Sequence, residues 1–342
     1  MNKLKMIKHA IDVAKEESYY PEKKRKCLDK RIRENLKWVR KYKEYNRFYN
    51  LYGLDTKDAK DIFNMGYIDY DMSFRIPREK ANRLGDPNAQ LYLLRDKYQF
   101  WKYLSSYGIS TPTVFAFIKN GVIYDSKLVK KDIEWLKQFN DYFIKDNNGE
   151  CGSFVKHIKS GADLDSSLEV FTNKNGEYIC QEKVIQGKQL SELNPHAINT
   201  IRIITTKKKD GTIDVLAALL RVGTSKTGDV DNWAKGGLAV GINDDGSLTK
   251  YGFYKPHLGV GLKADTHPDT GIIFADFKIE HYDEIKEFVK RAHACFYGIH
   301  SIGWDLAISE KGPTLIEGND NWEISLMQAH QPLKDKWLDS LK

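Results

Sequence analysis

Short apolar bursts separated by turn residues run through the second half of the chain. Ile201–Thr206, Ile213–Val222, Gly237–Ile242 and Leu248–Tyr254 predict strands, with Asp210-Gly211 and Asp244–Gly246 as turns. His281–Phe296 has helical spacing instead, with Ile285, Phe288, Val289, Ala292 and Phe296 on one face. Two further strands, Trp304–Ile308 and Pro313–Glu317, join at Ser309–Gly312. Upstream, Asp96 caps a helix running to Tyr107, and Gly108 ends it. Thr113–Ile118 and Val122–Tyr124 flank Asn120-Gly121, a strong hairpin signal. Leu128–Phe139 reads as a helix, and Tyr142–Lys145, Phe154–Ile158 and Tyr178–Ile185 as strands.

Residues 1–60 are helical in pattern. Leu4, Ile7, Ile11 and Ala14 fall on one stripe, and Trp38, Tyr42, Tyr45, Tyr49 and Tyr52 on another. Aromatic residues at that spacing fit core packing better than a ligand platform. Asp61–Gln90 has weak periodicity and reads as a connecting segment with some helix. The order of elements predicts an α+β chain in three regions: a helical N-terminal domain over 1–90, then 91–190, then 191–342.

The last hairpin concentrates the chemistry. With its centre at Lys311, Asp305 lies opposite Glu317, with Cβ atoms roughly 5 Å apart. Asn319, two residues on, points to the same face. Two carboxylates that close repel unless a cation sits between them. Oxygen donors with no Cys or His nearby favour Mg²⁺ or Mn²⁺ over zinc. The alternative is a pair of ordinary hairpin carboxylates in water, but the apolar arms make lone charges costly. Removing one of the two carboxylates is then expected to relieve repulsion and leave the fold intact.

Composition narrows the class. The 342 residues suffice for two or three domains, and 41% hydrophobic with 30% charged is ordinary for a soluble protein. No apolar run is long enough to span a bilayer, and Met1–Ala14 lacks the continuous apolar stretch of a secretory signal. The four scattered cysteines, Cys27, Cys151, Cys180 and Cys295, have no metal-ligand spacing and suggest reduced thiols in the cytoplasm. The net charge is +7, yet residues 1–60 alone hold 18 Lys or Arg against 9 Asp or Glu, so the rest nets −2. That basic segment could face a sugar nucleotide, an anionic glycan, nucleic acid or a membrane surface, or be a solvated helical face.

Three further features can hold phosphate. The loop NNGECGS, Asn147–Ser153, lies between two strands just after Lys145, and glycine-rich turns with exposed N–H groups suit polyphosphate. It is no Walker loop, since no GKS or GKT follows. Lys97 is a second candidate. Arg202 and Arg221 each sit inside a strand pattern, where a guanidinium fork needs a structural or phosphate partner. No GxSxG is present, and Cys151 has no obvious base, so a covalent nucleophile is not indicated.

In sequence order the chain carries Asp96-Lys97, Lys145 with its glycine loop, QEKVIQGKQ (Gln181–Gln189), and then Asp305, Glu317 and Asn319. This set resembles the ATP-grasp superfamily over about residues 91–330. NTIRI (Asn199–Ile203), DNWAKGG (Asp231–Gly237), HPDTG (His267–Gly271) and IGWD with LIEGN look most like its sugar-transfer-associated branch, linked with capsule and cell-wall polysaccharide synthesis. The resemblance implies two α+β subdomains, 91–190 and 191–342, that clamp ATP. Lys97 and Lys145 would hold phosphates, and Gly149, Gly152 and Ser153 would form the closing loop. Glu182, Lys183 and Ile185 would line the adenine site, and Gln189 would stand where many members use Glu for the ribose. Asp305, Glu317 and Asn319 would hold one or two Mg²⁺, with Mn²⁺ an alternative.

One departure stands out. D-alanine–D-alanine ligases carry an arginine two residues before the first metal aspartate, where this chain has Gly303. Arg221, with Arg202 as second choice, would then neutralise the transferring phosphoryl group. The implied reaction is ATP-dependent joining of a carboxylate to an amine through an acyl phosphate. Expected partners are a small-molecule carboxylate and amine, with a sugar nucleotide or polysaccharide intermediate among the candidates, and not nucleic acid. The alternatives are a phosphotransferase of the same fold or an inactive nucleotide-binding partner of a glycosyltransferase complex.

Overall fold

Why the chain folds as it does is clearest in its second sheet, where strand alternation sends apolar side chains to two different cores. The computed structural model describes residues 2–68, 74–83, 89–149, 154–159, 168–171, 175–195, 198–225, 233, 236–256 and 261–342. The chain begins with α1 (Lys3–Lys15) and α2 (Leu28–Tyr42), then α3 (Ile76–Arg83), α4 (Leu91–Arg95) and α5 (Lys97–Ser106). Strands β1 (Val114–Lys119), β2 (Val122–Asp125) and β3 (Lys130–Lys131) follow, then α6 (Ile133–Leu136), β4 (Tyr142–Asp146), β5 (Val155–Ile158) and β6 (Glu177–Glu182). These strands form one antiparallel sheet in the order β3-β2-β1-β6-β4-β5.

After α7 (Lys188–Leu193) come β7 (Thr200–Lys207), β8 (Ile213–Val222), β9 (Leu238–Ile242), β10 (Leu248–Tyr254) and β11 (Lys263–Ala264). Helix α8 (Tyr282–Ala294), strands β12 (Ser301–Ser309) and β13 (Gly312–Asn319), and helices α9 (Ile324–Gln328) and α10 (Lys334–Ser340) complete the chain. The second sheet runs β11-β10-β9-β8-β7-β12-β13. Ile201, Ile203, Leu220, Val240, Trp304 and Leu306 point to one face and pack with α8 and α5. Ile204, Leu216, Leu219, Ala239 and Phe253 point to the other and share a core with Val13, Trp38, Tyr49, Tyr52 and Trp337. Residues between Val13 and Ile68, together with Phe74, thus cover one face of this sheet directly.

Most predicted elements form within two or three residues of expectation. Asp96 caps α5, its side chain accepting from Gln99 N–H. Asn120 and Gly121 take φ of 48° and 80°, the paired positive angles of a tight hairpin turn. Three helical readings need correction. Leu128–Phe139 is not one helix: Leu128 has φ 64°, the Asp125 side chain ties down Lys127 and Val129 N–H, and Asp132 caps only the short α6. The aromatic stripe is core, as expected, but not on one helix. Helix α2 stops at Lys43 in the left-handed conformation; beyond it Tyr45 lies in irregular chain and Tyr49 and Tyr52 on turns. Leu4, assigned to the apolar stripe of α1, is 74% exposed, and the buried side is Ala10, Val13 and Ala14.

The N-terminal turns are pinned by charge as well as by aromatic rings. Buried Lys26 donates to both Glu34 oxygens at 3.0 and 2.8 Å and to Leu54 O at 2.7 Å. Tyr49 Oη donates to Glu34 at 2.6 Å, Arg25 pairs with buried Asp55 at 2.8 Å, and buried Arg31 donates to Ala14 O at 2.6 Å. Part of the basic excess is therefore internal scaffolding.

Gly303 is fixed by space. A Cβ there would lie 2.7 Å from Trp322 Cβ and 3.1 Å from Ile204 Cδ1, so no side chain fits, least of all an arginine. Trp322 cannot yield easily: it is 1% exposed, donates Nε1–H to Ser301 Oγ at 3.1 Å, and its carbonyl accepts from Arg78. Gly303→Ala is expected to destabilise the protein by about 1–3 kcal/mol in urea unfolding through overpacking. An unchanged unfolding midpoint would show that Trp322 does not close this position.

Candidate active site

Strand geometry places the charged residues first. Arg202 lies between Ile201 and Ile203, Arg221 between Leu220 and Val222, and Asp305 between Trp304 and Leu306, all of which face the α8 core. Side chains alternate along a strand, so the three charged residues share the opposite face. Asp305 is the direct cross-strand partner of Arg202 on β7 and of Glu317 on β13.

The Asp305–Glu317 pairing arises by a different route from the one expected. The turn is the two-residue Glu310-Lys311, with Ser309 opposite Gly312. A regular ladder from that turn would set Asp305 opposite Ile316. An extra residue, Ile316, shifts the register between Leu306 and Asp305, and this bulge brings Glu317 opposite Asp305.

Asp305 is 2% exposed and does not stand in open repulsion with Glu317. Arg202 donates to both its oxygens, one through Nε and one through Nη2 at 2.9 Å, and Arg221 Nη2 lies 3.1 Å from Oδ2. Arg221 is oriented by Thr200 Oγ1, which accepts from its Nε and Nη2 at 2.9 and 2.7 Å. Burial by itself would raise the Asp305 pKa, but Arg202 and Arg221 together hold it well below the usual carboxylate range. Glu317 goes the other way: burial and the Asp305 charge raise its pKa, against Arg202 and Lys97.

The first sheet supplies the lysines. Ile144 faces that sheet's own core, so Lys145 turns to the opposite side, where Gln181 Oε1 accepts its ammonium at 2.7 Å. Burial lowers the Lys145 pKa to about 8, with Lys97 pushing the same way and Glu317 opposing. Lys97, at the start of α5, donates to Gly149 O at 2.5 Å. Asn147 ties the loop to α5: its carbonyl accepts from Lys97 N–H at 3.0 Å and its Oδ1 from Tyr98 N–H at 2.9 Å. Gln181 and Asn147 were missed by sequence reasoning. Gln181 could have been found by counting two residues along β6 from Ile179, the cross-strand partner of Lys145.

Lys97, Lys145, Arg202, Arg221, Asp305 and Glu317 thus form one electrostatic cluster between the two sheets. Asn319 joins it: its Nδ2 points to Gly303 O and Glu317 Oε1, both at 3.4 Å. The remaining expected residues stand differently. Glu182 Oε1 accepts from Thr113 N–H at 2.9 Å, and Lys183 pairs with Asp141 at 2.9 Å. Ile185 is 62% exposed, and its carbonyl accepts from Glu310 N–H. Gln189 spends its amide on Lys278 O and Glu280 N–H, at 2.8 and 3.2 Å. Gly152 and Ser153 lie outside the described residues, as do Asp231, Asn232, Ala234 and Lys235 of the DNWAKGG stretch.

The donor set fits a hard cation and an anion side by side. Glu317 is a carboxylate made costly to ionise by a carboxylate neighbour, which a cation would relieve. Asn319 turns its amide nitrogen to protein oxygens, which sets its Oδ1 on the opposite side. The desolvated Lys145 ammonium and the buried Asn147 Nδ2, which has no partner among the described residues, are donors suited to an anion.

A family model described as sugar-transfer associated ATP-grasp matches residues 81–336. The chain belongs to the sugar-transfer associated ATP-grasp family. Among curated proteins none matches the sequence. Similar solved structures include N5-carboxyaminoimidazole synthase from Aspergillus clavatus, at 12% identity, 67% of this chain, 45% of that chain and TM-score 0.41. The L-amino acid ligase from Bacillus licheniformis matches at 15%, 72%, 46% and 0.41. The Staphylococcus aureus N5-carboxyaminoimidazole synthetase in complex with ADP matches at 11%, 72%, 50% and 0.42. This chain spans at most half the length of these proteins.

The two carboxylates should respond oppositely to neutralisation, correcting the expectation that removing either is harmless to the fold. A depressed pKa means Asp305 stabilises the fold above its unfolded value, near ~3.9, and loses that contribution as pH falls through the lower folded value. A raised pKa means Glu317 favours the fold below its unfolded value, near ~4.3, and loses this as pH rises through the folded value. At pH 7, Asp305→Asn is expected to cost about 3–5 kcal/mol by stranding two largely buried guanidinium groups. Glu317→Gln should leave the unfolding midpoint unchanged or raised. Equal losses in both variants by urea unfolding would contradict this account of the pair.

Proposed function

We propose that this chain is an ATP-dependent ligase that joins a carboxylate to an amine through an acyl phosphate. The observation that carries the reading is the convergence of two lysines and two arginines on the Asp305–Glu317 pair, in a chain of this family. Lys97 and Lys145 are the proposed phosphate ligands. Arg221, already oriented by Thr200, and Arg202 are the proposed partners of the charge that develops on the transferring phosphoryl group. Asp305, Glu317 and Asn319 are the residues that would hold Mg²⁺, with Mn²⁺ able to take its place. When bound, the metal supplies charge neutralisation on phosphate oxygens. Arg202 and Arg221 would meet phosphate if a cation took over the Asp305 charge.

Glu182, Lys183 and Ile185 are proposed to line the adenine through the backbone, since the Glu182 and Lys183 side chains are engaged elsewhere. Gln189 is kept from the ribose by its two backbone bonds unless those open. The acyl phosphate formed on the acceptor must be shielded from water, a task suited to the segment after Lys145 that holds Gly149. The family's description supports a sugar-bearing substrate, such as a uronic-acid sugar or an amino-acid substituent in capsule or cell-surface polysaccharide synthesis. Among the described residues no helix is long and apolar enough to cross a membrane.

Lys145 gives the ATP site a pH signature. Its ammonium is lost as pH rises through about 8, while bound phosphate would raise the pKa. ATP affinity, measured by titration calorimetry, should hold steady below pH 8 and weaken above it. Lys145→Ala should weaken ATP binding more than adenosine binding and flatten that pH profile. Equal loss for both ligands, with the profile intact, would make the lysine structural.

Hydroxylamine separates ligase from phosphotransferase. With a uronic acid as acceptor and hydroxylamine as the amine, a ligase yields a hydroxamate together with ADP. ADP formed alongside a stable phosphorylated sugar, and never a hydroxamate, would replace the ligase reading with the phosphotransferase.

A further inference from the structure

The face of the second sheet that carries the charged cluster also carries a cavity of about 320 Å³. One wall is the chain just after α2, including Asn46, Arg47 and Phe48, with Trp38 at the end of the helix itself. The other wall is Glu323–Ser325, four to six residues beyond Asn319 on the same strand exit. Phe48, Trp38 and Ile324 belong to the core that packs against this face. The cavity therefore lies where the N-terminal segment meets the chain leaving the proposed metal site.

Its lining has the chemistry of a sugar subsite. Its apolar side is closed by the buried rings of Trp38, Phe48 and Tyr52, and its polar groups come from Glu44, Asn46, Arg47 and Glu323. Asn46 is 6% exposed, and its Oδ1 accepts from Phe48 N–H at 3.1 Å, which fixes the amide orientation. Its Nδ2 has no partner among the described residues. A buried donor in that state costs free energy unless a ligand or water accepts from it. Glu323 brings a carboxylate, which accepts hydroxyl donors and already takes the Ser325 hydroxyl. Arg47 is exposed at the cavity, with Nη2 3.4 Å from Tyr45 Oη. Arg40, Lys41 and Lys43, all exposed, precede this wall directly in the chain. A cavity of this size admits a hexose ring, the Glu44 and Glu323 carboxylates can accept from its hydroxyls, and Arg47 is the cation in the lining that can meet an anionic substituent such as phosphate.

We propose that the cavity between Trp38–Phe48 and Glu323–Ser325 binds the sugar ring of a sugar-phosphate acceptor, with Asn46 donating to a ring hydroxyl and Arg47 meeting the phosphate. The proposal rests on the ligase reading for the role of the ligand but not for its binding. It also gives the uncommitted part of the N-terminal charge a task that scaffolding does not explain.

The test is equilibrium binding by ligand-observed NMR on the full chain, with saturating Mg²⁺ and ADP to occupy the nucleotide site. The probes are glucose 1-phosphate, glucose and inorganic phosphate. Wild type should bind glucose 1-phosphate saturably, glucose more weakly, and inorganic phosphate least. Asn46→Ser keeps an oxygen for Phe48 N–H and removes the amide donor; it should weaken both sugars by about fivefold or more. Arg47→Gln should weaken glucose 1-phosphate and leave glucose unchanged. ADP affinity should be unaltered in both variants. The proposal is overturned if neither sugar binds saturably, if inorganic phosphate binds as well as glucose 1-phosphate, or if the variants match wild type. Loss of ADP affinity together with sugar affinity in both variants overturns it too, since the residues would then be structural. A failed hydroxamate assay with these results intact removes the ligase reading and leaves the subsite standing.

Discussion

Asp305 and Glu317 are held side by side inside the protein, and the charge this creates organises the residues around it. A buried carboxylate pair is tolerable only if cations meet it or one member keeps a proton. Both happen here. Arg202 and Arg221 neutralise Asp305 from the adjoining strands, and burial beside it raises the Glu317 pKa. Lys97 and Lys145 add positive charge from the first sheet. Arg202 and Arg221 thus balance the buried Asp305 charge from within the protein.

The same pair explains the local backbone. Bulging at Ile316 is what turns Glu317 to face Asp305, because the two-residue turn alone would have offered Ile316. Gly303 is bare because Trp322 packs over it, and Trp322 anchors the chain leaving β13. An arginine could not occupy that position, and the positive charge beside Asp305 comes from β7 and β8. The departure from the D-alanine–D-alanine ligase pattern thus has a packing reason.

Much of this was legible in the sequence because it depends on local chemistry. Strand alternation, the Asn120-Gly121 turn, the Asp96 cap and the Asp305, Glu317, Asn319 set are all short-range signals. What was not legible depends on contacts distant in sequence. Tyr45, Tyr49 and Tyr52 keep helical spacing, yet Lys43 ends the helix and the rings pack beyond it, because the sheet face beneath them sets their arrangement. Leu128 breaks an apparent helix through a positive φ that its sequence does not announce. The two arginines were read as isolated forks, and only the register of β7 with β8 and β12 shows that they share one aspartate.

The central claim is that Asp305 and Glu317 form a metal-nucleotide site for which the arginines stand in when it is empty. A crystal structure with Mg²⁺ and a non-hydrolysable ATP analogue tests it most directly. The account predicts a metal in contact with oxygens of Asp305 and Glu317, phosphates beside Lys97 and Lys145, and Arg202 or Arg221 turned from Asp305 toward phosphate. A bound nucleotide with no metal at this pair, and both arginines still closed on Asp305, would contradict it.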